Sequence, residues 1–485
     1  MHFAHLPDVR AQRDPDGPAL ADTTNTVCNV ELAAAVHAAA EQFGELGIGA
    51  GDVVALKLIN RVEFVVVLFA AWRLGAVVTP INPAATESET AHQLRDSRAR
   101  LVVVEQDGSP IGGIRALAVD DLRRTAVGAP APAHDDPAAL ALLIYTSGTT
   151  GVPKGVMLDH ANLDAMTQMG AQALTVTAAD RSLLILPLFH VNGIVVSILM
   201  SLRVGASVFI ADRFNPTTFF DVIERERPTF FSAVPTIYSM LAALPEEVRP
   251  DTSAVRFALC GAAPASADLL VRFADRFGFP LVEAYGLSEG TCGTTTNPVD
   301  GLRKPGTVGL PFPGQEVRIV DSAGNELPSG EAGEITVRGP NVMRGYLGRP
   351  QDTAAVIVDG WLRTGDVGRL DEDGYLSVVG RFKEMIIRGG ENIYPKEIED
   401  VLAADPDVLE AAVVGVADEK WGEVVVAFVQ ARAGAELNVA ALEERCKQHL
   451  SGFKRPSAIH VLSVLPKNAV GKLDKKALRG IGSGR

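Results

Sequence analysis

From residue 30 to residue 284, short apolar runs of strand length alternate with segments of helical period, and this alternation constrains the fold more than any other property of the chain. A helix is expected over 30–46, a strand over 53–58, an apolar helix over 63–73, a strand over 76–80, a helix near 87–97 and a strand over 101–104. After a Pro/Ala/Asp connector at 128–137 the rhythm returns. Strands are expected at 138–145, 182–186, 207–210, 230–233, 255–260 and 280–284, with helices near 162–174, 194–202, 217–225, 235–243 and 266–277. Strands that are apolar throughout need cover on both faces, so the pattern predicts mainly parallel sheets sandwiched by helices, in two α/β lobes. From 307 to about 380 the pattern changes to short strands between Gly and Pro turns, VRIVD, EITVRG and YLSVVG, which predict a small β-barrel or meander. Beyond 381 come a strand pair, a helix over 395–404, strands over 408–416 and 424–431, a helix over 439–449 and a basic tail. A chain of 485 residues is too long for one core, and the expected division is a large domain, 1–380, and a smaller α+β domain, 381–485.

Charge narrows the choice of partner. With 45 basic against 59 acidic residues the net charge is −14, so a general nucleic-acid or anionic-membrane binder is not expected, and a polyanionic ligand must be held by a local site. Four cysteines, Cys28, Cys260, Cys292 and Cys446, lie far apart and suggest neither a disulfide framework nor a zinc site. The first residues have no signal-peptide core, and the most apolar stretches, 64–72 and 193–202, are about half as long as a membrane span. A cytoplasmic protein without a membrane span, monomeric or homodimeric, is expected.

The strongest local signal is 142–158, LLIYTSGTTGVPKGVML. An apolar strand runs into hydroxyls, glycines and a lysine: Thr146, Ser147, Gly148, Thr149, Thr150, Gly151, Lys154 and Gly155. Glycines allow backbone N–H groups to turn toward a polyphosphate, hydroxyls add donors, and Lys154 supplies a point charge. The Walker pattern is absent, because Gly155 and not Ser or Thr follows Lys154. A solvated Gly/Thr connector is the other reading of these residues. Further along, 282–290 reads VEAYGLSEG, a strand running into a glycine turn, and contains the G-x-S-x-G of a serine hydrolase. That reading fails on context, since TCGTTTNPVDG follows where a helix is required and the only later histidines are His449 and His460. In 361–366, WLRTGD, a carboxylate is expected at a tight turn, where it could accept both hydroxyls of a ribose.

Taken whole, 142–158 closely resembles the signature loop of the adenylate-forming (ANL) enzymes, which include acyl-CoA synthetases, luciferases and peptide-synthetase adenylation domains. Six motifs in family order extend the resemblance from about residue 50 to residue 478. It implies that Tyr285 stacks on adenine, that Ser288 contacts the α-phosphate and that Glu289 binds Mg²⁺. Gly261, Ala262, Ala263 and Gly286 belong to the same implied ATP/AMP site. Ser288 departs slightly from the family's threonine and keeps the hydroxyl. Asp366 is implied to hold the ribose diol with Arg381, and Lys383 is implied to be the hinge about which the small domain swings. Gly389, Gly390 and Glu391 resemble the segment that lines the pantetheine tunnel after that swing. Lys472, in PKNAVGKL, matches the closing-motif lysine that meets the substrate carboxylate and α-phosphate, and His190 is implied to gate the carboxylate pocket.

The resemblance therefore implies a two-step reaction. A carboxylate and Mg·ATP give acyl-AMP and pyrophosphate, then the thiol of coenzyme A displaces AMP. Segments similar to the family's GGENIYP and GFKRP favour coenzyme A over a carrier-protein thiol, which is kept as the alternative along with a catalytically silent relative. Family analogy places Val191, Asn192, Ser232, Ala233, Gly261, Ala284 and Gly290 around the acyl group. The neighbourhood TTTNPVDGLRKPGTVG is similar to that of malonyl- and oxalyl-CoA synthetases, yet Ala284 stands where the malonate enzymes carry arginine. A neutral-tailed monocarboxylate, aryl, cyclic or of medium chain length, is expected.

Overall fold

A computed structural model describes residues 2–106, 108–128, 132–146, 153–263, 265–432, 434–467 and 473–483. Two large mixed sheets, each with a parallel centre, carry the first 311 residues. In the seven-stranded sheet the strands Ala99–Val104, Val53–Lys57, Val77–Pro80 and Leu140–Thr146 run parallel in that spatial order. Lys154–Asp159 folds back antiparallel on Leu140–Thr146, with Lys154 opposite Thr146, so the candidate phosphate loop joins the two strands of a hairpin. In the nine-stranded sheet Leu281–Tyr285, Phe257–Cys260, Phe230–Ala233, Arg181–Leu184 and Ser207–Ile210 are parallel neighbours. The early strand Pro18–Ala21 crosses over to extend it.

The two sheets share one core. Every residue of the helix Val62–Arg73 is buried, and Trp72 donates its indole N–H to the Ala141 carbonyl at 2.8 Å, tying that helix to the strand before the phosphate loop. The expected helix over 194–202 begins as a π-helix, Gly193–Met200, and only its last turn, Ser201–Val204, is α. All eight π-helical residues are buried, so the sequence shows apolarity on every side and no period from which the wider winding could be read.

The barrel-or-meander region forms a five-stranded antiparallel sheet from Glu316–Val320, Gly333–Arg338, Trp361–Leu370, Ile357–Val358 and Leu376–Arg381. Asp366 is not at a tight turn: it lies inside the ten-residue strand Trp361–Leu370. The register against Gly333–Arg338 shifts between Glu334 and Thr336, and Gly365 has φ +71°, so a bulge does the work expected of a turn. A further five-stranded sheet, built wholly from residues after 385, contains Glu391–Ile393, Ile386–Arg388, Gly422–Ala431 and Val408–Asp418. Its fifth strand, Ala458–Val461, and the terminal helix Lys475–Gly482 stand where the sequence showed a basic tail. The helix is anchored by Leu478, fully buried against Phe428 and Leu465, which a run of neighbouring lysines conceals in the sequence. No helix among the described residues is long and apolar enough to cross a membrane.

Candidate active site

The carboxyl ends of the parallel strands from both large sheets open on one cavity of about 1160 Å³. Thr146, Asn60, Asn82, Leu186, Ser232, Gly261 and Tyr285 reach it from the ends of seven different strands or the loops just after them. Such crevices are where open α/β sheets bind ligands, because the loops there are free to vary while the strands hold them in place.

One end of the cavity is ionic. Asp366, only 5% exposed, accepts a hydrogen bond from the Tyr285 hydroxyl at 2.7 Å and pairs with Arg381 Nε at 2.8 Å. The bulge that aims it is fixed by Glu334, which pairs with Arg363 and accepts from the Gly365 N–H at 3.1 Å. Burial and then the Asp366 charge push the Tyr285 phenol well above its ordinary value, so it stays protonated as a donor. Glu289 accepts from the Tyr346 hydroxyl at 2.9 Å. Lys154 pairs with Asp352 at 2.9 Å and lies 5.0 Å from the centre of the Tyr346 ring. Lys383 lines the same end, and burial together with Arg381 holds its ammonium below the usual lysine range. The backbone is strained nearby: Ala262, Thr291 and Cys292 have φ of +66°, +55° and +99°. Gly286 is required by space, since a Cβ there would sit 1.6 Å from the Cys292 carbonyl oxygen.

The other end is an apolar arm between the helix His160–Ala173 and the π-helix. Met166 and Gly170 come from the first and Leu174 from its C-cap, Val195, Val196 and Met200 come from the second, and Leu259, Cys292 and Phe312 close it. A Cβ on Gly170 would lie 3.1 Å from Met200 Sδ and 3.9 Å from Phe312 Cε2, so the missing side chain sets the width at that point. Burial pushes the Cys292 thiol up to about 12, which makes it an inert wall group. None of these residues was expected from the sequence, because Met and Leu at helical spacing read as ordinary core; Gly170 within a helix was the one available hint.

Of the expected acyl-pocket residues, Val191, Asn192, Ser232, Ala233, Gly261 and Ala284 line the cavity. Gly290 does not: it is buried behind the wall, where an added Cβ would meet Leu287, Thr294 and Asn341. Ala262 lines the cavity, whereas the exposed Ala263 does not. His190 is on the wall, its ring 4.2 Å from that of Phe189. Ser288 begins a single 3₁₀ turn, Ser288–Gly290, in place of a hydrolase's long helix. His449 ends a helix of the last sheet's unit, and His460 stacks on Phe428, so neither serves a serine at the cavity.

Gly389, Gly390 and Glu391 form an exposed turn away from the cavity. From the same unit Lys467 does reach it, 3.4 Å from Thr236 Oγ1 and 2.9 Å from Glu410. Ser147, Gly148, Thr149, Thr150, Gly151 and Lys472 lie outside the described residues.

Comparison with known proteins places this arrangement. The model of the AMP-binding enzyme family matches residues 8–347, and that of the AMP-binding enzyme C-terminal domain matches 397–472. A feruloyl-CoA synthase from Amycolatopsis sp. is 37% identical over 481 residues, covering 98% of this chain and 97% of the relative. An oxalate–CoA ligase from Arabidopsis thaliana is 36% identical over 467 residues, with coverages of 91% and 90%. The solved structure of the O-succinylbenzoate coenzyme A synthetase of Bacillus subtilis, in complex with ATP and magnesium ion, has a TM-score of 0.89 at 34% identity, covering 98% of this chain and 99% of that one.

Proposed function

The chain belongs to the AMP-binding enzyme family, as an AMP-forming acid–CoA ligase, and from that premise we propose that it activates a neutral-tailed monocarboxylic acid. The observation that carries the proposal is the apolar arm. No charged side chain is among the residues named above as its walls, and Ala284 borders it. A second carboxylate placed there would lose its hydration without gaining a cation, at a cost of several kcal/mol. Met166, Val195, Met200 and Phe312 offer dispersion contacts to an aryl, cyclic or medium-chain tail.

The ionic end suits the nucleotide. Asp366 has the acceptor oxygens for a ribose diol, with Arg381 beside it, and Tyr285 presents a ring held by its own hydroxyl. Its cosubstrates are ATP with Mg²⁺ and coenzyme A. Among the described residues no group of three or more His, Cys, Asp or Glu is set to hold a metal alone. One oxygen of Glu289 is held by Tyr346, which leaves the other for a cation. That fits Mg²⁺, which needs only one or two carboxylates beside substrate phosphates; when bound, it would offset charge on the leaving pyrophosphate.

In the first step Lys154 and the 147–151 loop would hold the triphosphate, Ser288 would contact the α-phosphate, and Lys472 would bring the carboxylate and phosphorus together against their mutual repulsion. In the second, the unit beyond Lys383 would rotate so that the Gly389–Glu391 turn replaces Lys472 beside the acyl-adenylate. The test is acid-dependent exchange of pyrophosphate with ATP, followed by AMP release with coenzyme A, over a panel of aryl, cyclic, medium-chain, malonic and oxalic acids. Neutral-tailed acids should exceed the dicarboxylates in kcat/KM by at least about tenfold. Malonate or oxalate as the best substrate would overturn the proposal.

A further inference from the structure

The apolar arm narrows at one point, and the side chains there are unequal in how far they can move. The π-helix Gly193–Met200 starts beside His190 and Asn192, on the cavity wall, so Met200, its last residue, stands at the far end of the arm from them. Gly170 faces it from the helix His160–Ala173: a Cβ there would lie 3.1 Å from Met200 Sδ, 3.8 Å from Met166 Cε and 3.9 Å from Phe312 Cε2. Phe312 rests on bare backbone in its turn, since a Cβ on Gly293 would come 2.6 Å from the ring, and its N–H donates to the Thr294 carbonyl at 2.9 Å.

The arm does not end at this narrowing. Leu174, which caps the same helix four residues past Gly170 and so lies about 6 Å further along it, still lines the cavity, as does Leu259. Leu174, Val196, Met200 and Leu259 belong to one apolar cluster. The walls of the narrowing are therefore two glycine backbones and a ring seated on one of them, which give little, and two methionines, which adapt: the methionine side chain is unbranched, with three rotatable bonds and a polarizable sulfur. A methionine in a helix is ordinarily plain core. Met200 differs in lining a cavity, with a residue opposite it that has no side chain to hold it in place.

We propose that Met200 and Gly170 set the tail length that this protein accepts: Met200 is a movable gate that yields to a tail reaching Leu174, and the preferred substrates are elongated acids, with an unbranched alkyl tail or a ring carried on a short linker. A compact acid stops short of the gate and leaves the wall around Leu174 and Leu259 without contacts from it. A longer tail supplies those contacts, and each methylene fitted into such a pocket discriminates by about tenfold or more. Gly170 leaves Met200 the room to move, because a side chain there would fill the space into which the sulfur and the tail must both fit.

The gate rests on the neutral-tailed acid–CoA ligase reading, and kcat/KM for AMP release over butanoate, benzoate, decanoate and ω-phenylbutanoate tests the two separately. In the unmodified full chain the two long acids should exceed the two short ones by about tenfold or more. Gly170→Val sets a branched side chain against Met200 and should lower that long-to-short ratio by about tenfold or more. Met200→Ala removes the gate and should raise the ratio of ω-phenylbutanoate to butanoate by about threefold or more, and in both variants the KM for ATP should move by less than about twofold. Opposite shifts of the ratio mark a gate, because loosened packing alone would lower the rate with every acid together. If one variant does not fold, the other decides alone by the direction of its shift. A ratio that stays unchanged, shifts in the same direction in both variants, or favours butanoate or benzoate in the unmodified protein overturns the gate while leaving the ligase reading in place. Failure of every acid to drive pyrophosphate exchange, or a preference for malonate or oxalate, instead removes that reading, and the gate with it.

Discussion

The two ends of the cavity are built on opposite principles. At the ionic end three of the charged groups have protein partners: Asp366 with Tyr285 and Arg381, Glu289 with Tyr346, and Lys154 with Asp352. At the other end Met166, Leu174, Val195, Met200, Leu259 and Phe312 enclose space with no charge among them. Pairing in advance lets the protein bury charge without an uncompensated desolvation penalty, and a ligand then exchanges partners with groups already aimed. An apolar arm discriminates by volume and by what it cannot solvate, which is worth less per group. The difference teaches that substitutions at the ionic end should change how fast any acid is activated, whereas substitutions in the arm should change which acid is preferred.

The largest test of this division lies at Lys472, whose charge is needed only while two anions are forced together. Lys472→Ala should lower acid-dependent adenylation by about 10²-fold or more for every acid alike, yet convert supplied acyl-AMP and coenzyme A at a near-normal rate. An effect that depends on the acid would break the comparison, and stopped single-turnover assays of each half-reaction read it directly. Next comes Ser288, where loss of one hydrogen bond to a charged phosphate is worth about 1.5–3 kcal/mol; Ser288→Ala should therefore slow adenylation by roughly ten- to a hundredfold, with Ser288→Thr close to the unmodified rate. A fluorophosphonate label on Ser288 would contradict the phosphate role. Smaller still is Ala284→Arg, which brings a cation to the arm: kcat/KM for neutral acids should fall by about tenfold while that for malonate does not, narrowing or reversing the preference. A uniform loss across the acid panel would place Ala284 with the nucleotide end.

Much of the ionic end was legible because its chemistry sits in contiguous motifs. The glycine-and-hydroxyl loop, YGLSE and RTGD each put several polar groups within a few residues, and among the described residues Thr146, Lys154, Tyr285, Ser288, Glu289 and Asp366 all line the cavity. What was misread is local geometry. Asp366 was expected at a tight turn, but the positive-φ Gly365 before it serves equally well in a bulge, and only the pairing with Gly333–Arg338 distinguishes the two. The arm was illegible for a different reason. Met166 and Gly170 belong to a helix, capped by Leu174, whose buried face looks the same in sequence whether it packs on another helix or on empty space, and Gly290 was assigned to the wall although its neighbours are Leu287, Thr294 and Asn341. At Gly389 the φ of +60° and Trp421 Cε3 at 3.0 Å from an added Cβ show that the glycine is already required by its own turn, so a bulky substitution there would strain the backbone before testing any tunnel.

The smallest predicted effect is also the one that most directly probes prior pairing. Lys154 is held by Asp352 at the first turn of the helix Pro350–Val356, and the Asp352 side chain is 40% exposed, so solvent screens this pair. Lys154 also holds the Asp352 carboxyl below its usual range, which means the pair is intact at neutral pH and is lost only as the solution becomes acid enough to protonate Asp352. To reach a phosphate the lysine must leave this partner, and an exposed pair offers only weak resistance. Asp352→Asn should therefore lower the KM for ATP by only about threefold at low salt, with kcat little changed, and the difference from the unmodified protein should shrink as ionic strength rises. A rise in KM would mean that Asp352 orients Lys154 toward the phosphate instead of competing for it. In that case the ionic end would be an assembled site already complete before ATP arrives, and its pairings would be part of nucleotide recognition and not a resting state that recognition must break.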